Sequence, residues 1–351
     1  LWAELLGVAR IGRHDNFFTL GGDSILSIQL VARARAAGLE LTPRQIFQQQ
    51  TLAKLAETAG RRVTAADQPI SYGLPVPLTP VQRWFFAQPG PLRHFNQAIL
   101  LQVPPRLDTA RLERALAVLA AHHDALRIRV FRADAGWQQL ITPPDEAGRG
   151  PLLVHLDLSA ASAAGRTARL EEAAARLQAS LDPVHGPLWR AMWFDHGDSP
   201  GRLLLAIHHL GVDAVSWRIL IEDLVAAYEQ PGGEPARLPP RTTPFQSWAQ
   251  LLAREAYAPA TLADLAYWRS VCAGACALPR DHAAPAANRV ADSEQLTLAL
   301  DAGTTQRLLR EAPHAYRAEI NDMLLTALAL AMARWQETVS YTHLTLPTIL
   351  R

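Results

Sequence analysis

The stretch 61–78, RRVTAADQPISYGLPVPL, constrains this chain more than any other feature, because it carries Pro69, Gly73, Pro75 and Pro77 and no helical or strand periodicity. A run of this kind reads as an interdomain linker, so no single core can be built across it. The 351 residues leave room for more than one core at about 100–200 residues each. With 49% apolar and 19% charged residues the composition is globular, and a net charge of +1 supplies no long-range field to gather nucleic acid or an anionic membrane. No apolar run reaches the length of a membrane span, and the start LWAELLGVAR lacks the basic-then-apolar order of a targeting segment. The two cysteines, Cys272 and Cys276, are too few for a disulfide framework and lack the second pair of a zinc site. A cytoplasmic protein without nucleic-acid or membrane partners is expected.

Before the linker, helical signals are densest at 24–37 and 43–58, which implies a small helical bundle. The helix from Ser24 is expected to turn Ile25, Ile28 and Ala32 to one side and to close at Gly38. Thr42, Pro43 and Gln45 have the order of an N-cap, a proline at the first helical position and a capping-box partner. Leu1, Leu5 and Leu6 make an apolar stripe with nothing before it, so the chain is expected to begin inside a helix.

After the linker the pattern is mixed. The run QAILLQV at 97–103 suits a buried strand, and Leu112, Leu116 and Leu119 repeat with helical spacing over 107–126. The same order recurs at 202–229, where RLLLAI is a strand. Trp217, Leu220, Ile221, Leu224, Val225 and Tyr228 then make one face of a helix. A second break, QPGGEPARLPPRTTP at 230–244, separates this region from helical stretches near 245–271 and 318–335.

Two short strings carry chemistry. In DNFFTLGGDSILSIQL, Gly21, Gly22 and Asp23 precede Ser24 at the start of a helix. Glycines allow a tight turn that leaves a hydroxyl exposed, and the unpaired amides of a helix N-terminus suit a phosphate ester. Asp23 and Ser24 are also ordinary N-cap residues, and the residues alone leave both readings standing. The segment from Asp15 to Ser24 resembles the DNFFxLGGDS signature of carrier domains in nonribosomal peptide synthetases, matching every fixed position. That resemblance implies a four-helix carrier bundle whose Ser24 holds a covalent 4′-phosphopantetheine arm, attached by a phosphopantetheinyl transferase. Asp23 is similar to the aspartate of carriers that precede an epimerization domain, where those feeding condensation usually have histidine.

The second string is HHLGVDAVSW at 208–217, after one strand and before an amphipathic helix. A histidine at a strand end is fixed by the scaffold and titrates near neutral pH, which makes His209 the candidate general base. Neighbouring strand residues point to opposite faces, so His208 and His209 cannot both serve one reacting atom unless the strand has ended. Core histidines bonded to backbone remain an alternative. Asp213 could orient the loop or pair with a cation, and Arg127 is the expected partner. His122 and His123 read as packing and capping. No HExxH spacing or third ligand suggests a metal, and no glycine-flanked elbow makes Ser216 a nucleophile.

HHxxxDxxSW resembles the second core motif of the epimerization domains in the same synthetases. PVQRWF at 80–85, HFNQAILL at 94–101 and AEINDMLLTALALAMARW at 318–335 extend the similarity to about 75–337. The resemblance implies a two-lobed α/β domain of the condensation, or chloramphenicol acetyltransferase-like, kind. In it His209 and His208 with Asp213 form the catalytic group, supported by Arg127, Ser216 and Trp217. Condensation domains share the histidine pair but normally carry glycine at the position of Ala214 and lack the Ser–Trp ending. The expected organisation is a carrier at 1–60, a linker at 61–74, a first lobe at 75–240, a partial second lobe at 241–337 and an atypical tail at 338–351. The family's second-lobe glutamate has no counterpart in its usual context, because VSYTHLTLPTILR no longer resembles the family. A fragment with little racemase activity of its own is therefore expected. An upstream adenylation domain and a downstream condensation domain are the implied partners. A condensation activity, or a carrier joined to an inert scaffold, are the alternatives.

Overall fold

In the computed structural model, residues 1–61, 70–134, 136–146, 152–231, 238, 239, 241, 243–274, 292–316 and 318–335 are described. The linker residues 62–69 and the tail 338–351 lie outside them. By contacts the chain divides into Leu1–Leu262 and Ala263–Arg351.

The first sixty residues form four helices, α1 (Trp2–Leu6), α2 (Ser24–Ala36), α3 (Pro43–Gln48) and α4 (Leu52–Thr58), with a short antiparallel pair β1 (Leu39–Glu40) and β2 (Gly60–Arg61). Their core is small: Trp2, Phe17, Leu30, Ile46 and Leu55, with the Trp2 and Phe17 rings edge to face at 5.1 Å. The expected cap of α3 is present as a full capping box, the Gln45 amide donating to Thr42 Oγ1 and the Thr42 amide to Gln45 Oε1. The buried side of α2 differs from the expected one at Ile28 and Ala32, while the Ile25 side chain lies outside those described. Ser27, Leu30 and Ala34 face inward, while Ile28 is exposed. Ser27 can occupy the core because its hydroxyl donates to the Asp23 carbonyl one turn earlier, which removes the cost of burying it.

Beyond the linker come β3 (Pro75–Val76), α5 (Pro80–Ala87), β4 (Asn96–Val103), α6 (Thr109–His122), β5 (Ile128–Ala133), β6 (Gly136–Ile141), β7 (Leu153–Asp157), α7 (Ala163–Ala179), β8 (Trp189–Asp195), β9 (Gly201–His208), α8 (Ser216–Glu229), α9 (Phe245–Glu255) and α10 (Pro259–Ala263). The main sheet has the order β4-β9-β8-β7, antiparallel except for the parallel pair β7/β8. Both faces of its centre are covered. Trp193, Leu203, Leu205 and Ile207 join Leu112, Leu116 and Leu119 of α6 and Leu220 and Leu224 of α8, while Phe194, Leu204 and Ala206 pack with Leu177 of α7. This explains why β9 reads as an unbroken apolar run. The expected face of α8 is right at Leu220 and Leu224 but not at Val225, which is 48% exposed.

A second sheet, β3-β6-β5, carries Val76, Ile128, Val130 and Ile141 against Leu188, Leu210 and Ala249 of α9. The segment after the linker is fastened here. Ser71 exchanges two hydrogen bonds of 2.8 Å with the Gln246 amide, and the Gly73 amide donates to the Ile141 carbonyl. The first compact unit thus continues past 230–244 through α9, whose opening amides at Phe245 and Gln246 both donate to the buried Asp124 carboxylate.

In the second unit, α11 (Leu265–Ala273), α12 (Ala302–Gln306), a π-helical turn at Arg307–Glu311, α13 (Ala312–Tyr316) and α14 (Ile320–Trp335) follow in order. Asp301 caps α12 by accepting from the Thr304 amide.

Candidate active site

The carrier signature forms a tight turn into α2. Gly21 has φ +100°, which favours glycine, and a Cβ on Gly22 would stand 2.4 Å from the Phe17 ring. Asp23 is the cap: its Oδ1 accepts from the Leu26 amide at 2.7 Å. Ser24 is the first helical residue, so the capping alternative is taken by its neighbour. The exposed approach at Gly21 and Asp23 beside a helix N-terminus fits a phosphate ester at this position.

β9 ends at His208, and the two histidines part there. His208 is fully buried. Its Nδ1 accepts from the Leu210 amide at 3.2 Å, so Nε2 carries the hydrogen and donates to the Leu92 carbonyl at 2.6 Å. Burial lowers its pKa, the Leu92 carbonyl working against that shift and His209 adding to it. Both ring nitrogens of His208 are bonded to backbone groups inside the core.

His209 sits one residue past the strand, its amide bonded to the Phe95 carbonyl and its ring stacked on Phe95 at 5.0 Å and 17°. Nδ1 is 2.8 Å from the Val212 carbonyl, which can only accept, so Nδ1 bears the hydrogen. Nε2 lies 3.1 Å from Gln97 Nε2, and Gln97 Oε1 accepts from the Trp217 indole N–H at 2.8 Å. His209 opens on a cleft of about 610 Å³ whose lining includes Val81, Phe85, Asp213, Ser216 and Trp248. Gly211 lies beneath it, where a Cβ would meet the Ala125 carbonyl at 2.8 Å.

Asp213 is held by its own loop. Its Oδ1 accepts from the Ser216 hydroxyl at 2.6 Å and from the Ser216 and Val215 amides, which fixes the turn into α8. Burial alone would raise its pKa; these hydrogen bonds, with the charge of His209, outweigh it and hold the carboxyl below the ordinary aspartate value. Ser216 therefore orients the loop through Asp213, and Trp217 orients Gln97.

Arg127 is not the partner of Asp213. It donates to the carbonyls of Ala120, Ala121 and Thr142 and lies over the Tyr72 ring at 5.6 Å, closing the C-terminal end of α6. Burial lowers its pKa, opposed by Tyr72 and Asp124. His123, the C-cap of α6, bonds Asp223 of α8 at 2.8 Å. Among the described residues, His122, His123 and Asp223 are the trio whose potential ligand atoms lie within 4.8 Å of one another.

Sequence reasoning missed Gln97. The available signal was a polar residue at the head of an apolar strand, in register with Ile207 beside the histidine pair.

The geometry agrees with comparisons against known proteins. Residues 1–59 match the family model described as a phosphopantetheine attachment site, and 75–343 match that of the condensation domain. The chain therefore belongs to the condensation-domain family, and is a carrier joined to a condensation-fold domain of the nonribosomal peptide synthetases. The carrier match brings with it a covalently attached 4′-phosphopantetheine. A linear gramicidin synthase of Brevibacillus parabrevis is 47% identical over 95% of this chain, which spans 6% of that protein. Chondramide synthase cmdD of Chondromyces crocatus is 46% identical over 95% of the chain and 9% of its own length. The epimerization domain from the third module of tyrocidine synthetase B superposes with a TM-score of 0.67 at 35% identity, covering 78% of this chain and 62% of that one. No described helix is long and apolar enough to cross a membrane.

Proposed function

We propose that Ser24 carries an aminoacyl or peptidyl thioester on its phosphopantetheine and that His209 is the base that inverts its α carbon from L to D. The bound arm supplies a thiol that holds the acyl group as a thioester, which acidifies the Cα–H. His209 Nε2 takes that proton, the C–H electrons moving toward the thioester oxygen. A proton delivered to the opposite face by a second acid such as water, with the proton on His209 passed to solvent, gives the D centre, so hydrogen and electrons balance without an oxidant. The observation that carries this reading is the unprotonated Nε2 of His209, a residue lining a cleft, with Nδ1–H held by the Val212 carbonyl and the neutral Gln97 amide beside Nε2. Likeness to the tyrocidine epimerization domain supports it, as does Ala214 where condensation domains normally have glycine. Adenylation and condensation domains and a phosphopantetheinyl transferase are the partners this role requires.

The second reading, peptide-bond formation, is favoured by the condensation family model. The two separate on α-hydrogen exchange. Protein loaded at Ser24 with an L-aminoacyl arm and held in D2O is expected to gain deuterium at Cα, and His209→Ala to slow this by about 10²–10⁴-fold. Exchange that persists unchanged in His209→Ala would overturn the assignment. Absence of exchange, with dipeptide formed from a loaded acceptor, would favour the second reading.

A further inference from the structure

We propose that Gln97 is the positioning residue of this site, holding His209 with a bare Nε2, and that Trp217 decides which way round the Gln97 amide stands. The inference rests on the reading of His209 as a base. Every link is fixed by what its atoms can do. An indole N–H can only donate, so the Gln97 atom 2.8 Å from Trp217 Nε1 is the carbonyl oxygen, and the atom 3.1 Å from His209 Nε2 is the NH2 group. A backbone carbonyl can only accept, so the Val212 contact places the ring hydrogen on Nδ1. Both ends of the relay therefore specify the same tautomer.

The reverse amide would set two donors face to face at Trp217 and turn an oxygen toward Nε2, favouring a protonated ring that cannot abstract a proton. Phe95 stacks on the ring face, which leaves the two nitrogens as the remaining points of control. Among the described residues, His208, next to it in the chain, and Asp213, across the loop, interact electrostatically with His209. A neutral amide is suited to this place, because it marks the lone pair without trapping a proton there and can withdraw when the substrate's Cα–H arrives.

The test reads the ring rather than turnover. The full chain is labelled with 15N-histidine and the His209 nitrogens are followed by NMR against pH, with the buried His208 resonances as an internal check on folding. Wild type is expected to carry hydrogen on Nδ1 alone at pH 8. Gln97→Glu should keep both nitrogens protonated to a pH higher by about 1–2 units, since a carboxylate now faces Nε2. Trp217→Phe, which leaves the glutamine amide unoriented, should raise the share of the Nε2–H tautomer. An Nε2–H ring in wild type, or wild-type tautomers in Trp217→Phe, would overturn the relay, even where Gln97→Glu fails to fold. Deuterium exchange unchanged in His209→Ala alongside the expected tautomers would instead sink the catalytic reading and leave the relay standing.

Discussion

The turn at Asp23–Ser24 and the strand end at His208–His209 solve related problems with opposite means. Each is a pair of neighbours in which the first residue is spent on the fold: Asp23 caps α2, and His208 fills the core with both nitrogens bonded. The supports differ. The carrier turn rests on a small core around Trp2, Phe17, Leu30, Ile46 and Leu55, whereas the histidine stands at the end of an interior strand of a sheet packed on both faces. In the proposed roles, a carrier serine needs only an exposed turn, while a base must hold one ring orientation, and the second demand recruits more of the chain.

That contrast can be broken most sharply at the reactive residues. Incubation with a transferase and coenzyme A should add one arm to the wild-type mass and none to Ser24→Ala, while His209→Ala takes the arm normally; an arm on Ser24→Ala would move the carrier site elsewhere. Next in size, Phe17→Ala should cost about 3–5 kcal/mol and unfold the small bundle, while the β3-β6-β5 sheet and the main sheet still melt cooperatively in urea. Joint loss of both transitions would show that the two regions fold as one.

Acid should weaken the histidine side of the comparison. Folded His208 resists protonation, so the unfolded chain binds more protons below the ordinary histidine value of 6.5. Stability from this residue is complete above that pH and declines as pH falls through it. Asp213 acts in the same direction lower down, its contribution being present above 3.8 and lost as pH drops toward its depressed folded value. The urea midpoint of the sheet domain should therefore fall between pH 7.5 and 5.5. Asp23→Ala should lower carrier stability by about 1 kcal/mol through the lost cap. Smallest of all, Val225→Lys should change stability by no more than about 0.5 kcal/mol, since that side of α8 is open to solvent.

Local chemistry is legible in the residues and distant partners are not. The Thr42–Gln45 capping box, the Leu112, Leu116 and Leu119 stripe and the strand leading to His208 depend on neighbours within a turn or on the apolar run itself. The phase of α2 differs from the expected one because Ser27 counts as polar until its hydroxyl is seen bonded within the helix. Arg127 and Asp213 look like an ion pair by charge alone, yet each is consumed by backbone groups near it. The Gln97 relay joins residues 112 and 120 positions apart, a relation that no periodicity encodes. Asp124 likewise reaches more than a hundred residues along the chain to begin α9, which keeps that helix with the first unit.

The clasp between Ser71 and Gln246 sets a leash. With the chain held at Ser71 and the bundle closed by the β1/β2 pair at Arg61, ten Cα–Cα steps separate the two anchors, at most about 36 Å of contour. Lengthening or shortening that stretch would change the largest separation the chain allows between the two anchors while leaving Ser24 and His209 in place.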